Sequence, residues 1–159
     1  MKLLSAPGVA RRVLRAGWTS RRAVPTLIHA AAVLLVVELM VRCVPLPRAS
    51  RMLGVSVDLA PATGLQPVLA PEQLDRRAAR QLRCAYFVAG VWPFSRGPCL
   101  RRALVGGHLV RRLQPTVRLG MGTTDGRLFA HAWLEIEGRP LEDVSSIQMF
   151  QHRSAEVSV

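Results

Sequence analysis

Cys99, His131 and Asp143 are the residues of this chain whose types and spacing suit covalent chemistry. Cys99 follows Gly97-Pro98, where a helix is set to begin. His131 lies in the alternating stretch Leu128–Ile136, and Asp143 follows the Glu137-Gly138 turn. A thiol in the first turn of a helix faces unpaired N–H groups and the positive end of the helix dipole, which favour thiolate. An imidazole within reach would share its proton, and a carboxylate would orient that imidazole. These are the parts of a cysteine nucleophile site.

The elements that must hold these groups follow from periodicity. Residues 99–113 have helical spacing, with Leu100, Ala103, Leu104, Gly107 and Val110 on one face and Arg101, His108 and Arg112 on another. Gly106-Gly107 costs such a helix about 1 kcal/mol per glycine relative to Ala, so either something packs closely there or the helix breaks. In the expected strand, Phe129, His131, Trp133 and Glu135 share one face, and Ala130, Ala132, Leu134 and Ile136 the other. Glu137-Gly138-Arg139 reads as a hairpin turn with 141–144 returning. His131 and Asp143 are nearly equidistant from that turn, which makes them cross-strand neighbours roughly 5 Å apart. Glu142 has the opposite parity, and Glu135 is about 13 Å away along the strand. His108 is roughly 13 Å along the helix from Cys99. Trp92 and Trp133 are candidates for the walls of a substrate cleft, with core packing the competing role for each.

The pattern Cys99-Leu100-x-Arg102, Gly120-Met121-Gly122, His131-Ala132-Trp133-Leu134-Glu135-x-x-Gly138 and Asp143 resembles the transglutaminase-like cysteine peptidases of lasso peptide biosynthesis, the B2-type leader peptidases. The resemblance covers about residues 70–150, and the N-terminal third more loosely. It implies a papain- or transglutaminase-like α+β fold with Cys99, His131 and Asp143 as the triad. It also implies a leader–core precursor peptide as substrate, a separate small leader-binding protein of the B1 type, and a partner cyclase.

The chain has 159 residues and a net charge of +12, the length of one domain with a single core. Its cations are 21 Arg and Lys2. Residues 1–53 hold nine of them against Glu38 alone, a net of +8. The apolar run 23–41 lies among these cations. It is short for a membrane span and carries Glu38 near one end. Ser20-Arg21-Arg22 before it is reminiscent of an export signal, but no A-x-A site follows convincingly. The expectation is a helix buried in the core or in a partner interface, acting on a cytoplasmic substrate, with peripheral contact to an anionic membrane as a further option. Residues 54–70 are rich in Pro and Gly and read as a linker to a peptidase core over 71–150, followed by a tail over 151–159. A helix is expected over 71–91, with Arg76, Arg77, Arg80 and Arg83 on a solvated face.

Three scattered cysteines make no disulfide framework. No metal-ligand or nucleotide-loop spacing occurs, so neither metal nor cofactor is expected. Two other readings compete with leader peptidase. One is a different acyl transfer, such as transamidation or amide hydrolysis, on the same fold. The other is a basic nucleic-acid or membrane adaptor. The second is disfavoured because the arginines are spread over several segments without interleaved aromatics, and no nucleic acid is expected as a partner.

Overall fold

An unbroken apolar run folds locally as a helix, and here that helix is built into the core. The computed structural model describes residues 23–59, 66–93, 98–124, 127–144 and 147–148. Helix α1 is Ala23–Cys43 and α2 is Leu46–Leu53, closed by Gly54 in the left-handed conformation (φ 67°). Strand β1 (Ser56–Asp58) follows, then helices α3 (Arg76–Val91) and α4 (Pro98–Leu109). The chain continues through β2 (Thr116–Thr124), β3 (Arg127–Ile136), β4 (Arg139–Pro140) and β5 (Ile147–Gln148).

The strands form one sheet in the order β1-β2-β3-β4. β1 runs parallel to β2, and the other pairs are antiparallel. β5 pairs with Met121 and Gly122 of β2, on the side of β2 away from β3. The chain leaving β4 therefore crosses the sheet to reach β5. Helix α4 packs on β3, and α1 packs on α3 and α4. The core joins Leu34 and Val37 of α1, Leu104 and Val105 of α4, Val117 of β2 and Leu134 of β3, all fully buried. This is an α+β fold, as expected.

Four expectations are corrected. The helix expected over 71–91 begins at Arg76, because Asp75 caps it by accepting hydrogen bonds from the N–H groups of Arg77 and Ala78 at 2.8 Å each. Pro71–Gln73 forms a separate 3-10 turn. The stretch 54–70 is more than a linker: Val55 is buried, β1 lies in it, and the N–H of Leu69 donates to the carbonyl of Pro140. Residues before and after it share one core, so no boundary near residue 70 divides the described residues. The return of the hairpin is also shorter than 141–144. Glu137 (φ 54°) and Gly138 (φ 74°) make the tight turn, but the ladder ends where the N–H of Leu141 donates to the carbonyl of Leu134.

The Gly106-Gly107 pair leaves α4 unbroken. A Cβ on Gly107 would lie 3.0 and 3.1 Å from the methyls of Val55 and 3.2 Å from Leu134. Close packing against β3 and the chain entering β1 explains Gly107, whereas a Cβ on Gly106 would meet Leu82 and Tyr86 of α3 at 3.3 Å each. The expected tail, residues 151–159, lies outside the described residues.

Candidate active site

Pro98 occupies the first position of α4, where its missing N–H costs nothing. Cys99 follows in the first turn and is half-buried. Its sulfur accepts hydrogen bonds from the backbone N–H groups of Leu100 and Ala132 and is hydrogen-bonded to the His131 side chain. The imidazole does most to pull the thiol below its ordinary pKa, with the two N–H groups adding to it against the cost of burial.

The Ala132 N–H is open to the sulfur for a topological reason. Leu134 turns its backbone toward β4, as its bond from Leu141 shows, so Ala132, two residues back, faces the same side. β4 has ended by then, and the Cys99 sulfur occupies the edge that β4 leaves vacant.

His131 stands on β3 opposite Gly120. Its imidazole is raised to about 9, first by the hydrogen bond with Cys99 and then by Glu142. Glu142 Oε2 lies 3.6 Å from His131 Nε2. Burial opposes the charge on Glu142, but His131 and Arg102 outweigh it and hold the carboxyl below its usual range. Arg102 pairs with Glu142 Oε2 and lies 5.0 Å over the Tyr86 ring. Burial pushes the Tyr86 phenol up to about 12, which keeps it neutral.

Of the three residues named from sequence, Cys99 and His131 come together. The carboxylate facing the imidazole is Glu142, where the hairpin reading expects Asp143. That reading continues the β4 ladder past Leu141, whereas the chain turns there to cross the sheet, so strand parity no longer governs the next two side chains. Asp143 is exposed beside it. Arg102 was legible only as part of the Cys-Leu-x-Arg pattern. One helical turn after Cys99, it reaches the carboxylate that faces the imidazole.

Of the two tryptophans, Trp133 takes the core-packing role. Trp133 is 1% exposed, so its access to substrate is closed; its ring stacks beside His131 with 6.3 Å between centroids and an interplanar angle of 13°. Its indole N–H donates to Glu135 Oε1 at 3.0 Å, and Glu135 Oε2 accepts from Arg118 at 3.0 Å. Trp133 therefore fixes the imidazole from the side. Trp92 packs against the core just before residues 94–97, which lie outside the described set. His108 is structural, with Nδ1 bonded to the Leu53 carbonyl at 2.9 Å and its ring edge-on to His29. Cys84 is buried in the core and its thiol is raised by that burial, while Cys43 is exposed.

Helix α4, which carries Cys99, is tethered to α1. Glu38 is buried and pairs with Arg101, two residues after Cys99, and with Arg42 at 2.7 Å. The Arg101 hydrogen bond holds the Glu38 carboxyl below its ordinary range.

The mutual contact lowers the thiol and raises the imidazole, which favours a thiolate–imidazolium pair, an arrangement suited to attack on a carbonyl carbon and protonation of a leaving group. No curated protein and no solved structure matches the chain. A model of the transglutaminase-like superfamily matches residues 40–154, which include Cys99, His131 and Glu142. The chain belongs to the transglutaminase-like superfamily.

Proposed function

We propose that this chain is a cysteine endopeptidase that removes the leader from a ribosomally made lasso precursor peptide before a partner cyclase closes the core. The observation that carries the reading is the Cys99–His131 contact at the first turn of α4, with N–H donors on the sulfur. The Cys99 thiolate adds to the carbonyl at the leader–core junction. The imidazolium of His131 then protonates the leaving amine of the core as the carbon–nitrogen bond breaks. Water, deprotonated by the now neutral His131, hydrolyses the leader thioester and restores the thiol. Glu142 keeps the imidazole oriented and favours its charged form, and Asp143 is the alternative for that role.

In this reading a separate small protein supplies leader affinity. The outer side of α1, where Ile28, Leu35 and Leu39 are exposed, is the candidate surface for that protein or for the cyclase. The same side next to Arg42 also suits peripheral contact with an anionic membrane.

The test is incubation of the chain, with and without the small partner, with the short precursor peptide encoded beside its gene, read by mass. Leader and core fragments support the peptidase. An isopeptide adduct with an added amine would instead assign a transferase, and an unchanged peptide in the presence of both proteins would refute the reading.

A further inference from the structure

The end of β4 leaves more than a place for Cys99. β3 runs to Arg127 at its far end, whereas β4 pairs only with Glu135 and Ile136. On that side the backbone groups of the even-numbered residues Ala132, Ala130 and Leu128 point outward, by the alternation that Leu134 fixes. The Ala132 N–H is taken by the Cys99 sulfur. Among the described residues, none exchanges a backbone hydrogen bond with Ala130 on this side. Ala130 is exposed, and Leu128 is 73% exposed although it belongs to the face that is buried further along at Leu134. The edge of β4 itself is covered by residues 67–69, through the Leu69–Pro140 bond and the Arg139 contacts to the Pro67 and Val68 carbonyls. Among the described residues, the uncovered edge therefore begins where Cys99 sits.

We propose that the substrate peptide binds in extended form along this open edge of β3, exchanging backbone hydrogen bonds with the N–H and C=O of Ala130 and resting an apolar side chain on Leu128, so that its attacked carbonyl lies at Cys99. The proposal rests on the peptidase reading for the identity of the peptide. Ala130 is about 7 Å along the strand from Ala132, which is two residues of an extended chain. The peptide residue bonded to Ala130 is thus two away from the attacked carbonyl. Strand addition of this kind draws affinity from main-chain bonds and selects on alternate side chains. It accounts for a leucine left exposed about 13 Å further along the edge that starts at Cys99.

The experiment has two arms, both using the precursor peptide encoded beside the gene. The first is a scan of single N-methyl residues through four positions on each side of the cleaved bond, read as kcat/KM on the full chain with its small partner. One position two residues from the attacked carbonyl should lose about tenfold or more, and its immediate neighbours much less. The second is amide hydrogen exchange by NMR on Cys99→Ala with excess peptide and the partner present. The Ala130 N–H should become protected, while those of Phe129 and His131, already turned to β2, should not change. Cleavage without protection at Ala130, or cleavage indifferent to N-methylation, overturns the proposal. Protection without cleavage keeps the docking edge and removes the peptidase reading. Absence of both removes both.

Discussion

Replacing Glu142 with Gln tests the site where sequence and structure disagree. The substitution keeps shape and hydrogen-bonding capacity and removes the charge facing His131 Nε2 at 3.6 Å. His131 is raised from 6.5 to about 9, by Cys99 first and Glu142 second. That whole shift corresponds to about 3 kcal/mol. Glu142 supplies the smaller share, on the order of 1 kcal/mol, since the pair is partly exposed and screened. The alkaline limb of the pH profile should therefore move down by roughly one pH unit in Glu142→Gln. Losing that charge, on the order of 1 kcal/mol of imidazolium stabilisation, should lower kcat/KM about five- to tenfold at neutral pH. Asp143→Asn should cost less than about threefold on the same scale. Alkylation of Cys99 by iodoacetamide, followed by mass across pH in a Cys43→Ser background, reads the thiolate directly and needs no substrate. Cys43 is the exposed competitor and Cys84 is buried. If Asp143→Asn damages alkylation and cleavage more than Glu142→Gln, the carboxylate assignment made from the geometry is wrong, and the extended-hairpin reading of the sequence is right.

Four further outcomes are expected. Cys99→Ala should abolish cleavage while Cys43→Ala and Cys84→Ala retain it, as mass spectrometry of the products would report. In the wild type, kcat/KM should rise with pH as Cys99 ionises below its ordinary value, then fall as His131 loses its proton near pH 9; a profile still flat at pH 10 contradicts the ion pair. Gly107→Ala should destabilise the fold by about 1–2 kcal/mol in urea titrations, because the added methyl meets the stiff Val55 side chain and overpacking exceeds the gain of about 1 kcal/mol in helix propensity. Gly106→Ala, whose Cβ would meet Leu82 and Tyr86 at 3.3 Å, should be close to neutral. Glu38→Gln leaves the mostly buried Arg101 without its carboxylate and should cost about 2–3 kcal/mol, lowering Tm by several degrees; an unchanged Tm would show that the tether between α1 and α4 carries little.

The parts of the site that depend on local rules were legible in the chain. Gly97-Pro98 marks the start of the helix under Cys99, alternation marks β3, and Glu137-Gly138 supplies the two positive φ angles of a tight turn. Helix α1, with one side in the core, followed from its apolar run. What escaped was set by distant partners. Leu141 is the last residue of the β4 ladder because the chain next travels to the far side of β2, and no residue between 141 and 144 announces that departure. The pairing of β1 with β2 joins residues 60 apart in sequence, so a Pro/Gly-rich stretch hid a strand. The core packing of Trp133 was among the roles open to it, but its bond to the Glu135 carboxylate on its own strand was not legible.

Helix α1 also sets a condition on where this protein can reside in its folded form. By length and composition Ala23–Cys43 could cross a bilayer. Here one side of it is committed: Ala30, Leu34 and Val37 fill the core, and Glu38 holds Arg101 beside the nucleophile. Threading this segment through lipid would withdraw those side chains, leave Arg101 without its counter-charge and carry Glu38 into hydrocarbon. Insertion and an intact active site are therefore alternatives for one molecule. A bilayer could act on this protein in two different ways, holding it by the outer flank of α1 with the candidate site intact, or taking the helix in and dismantling that site.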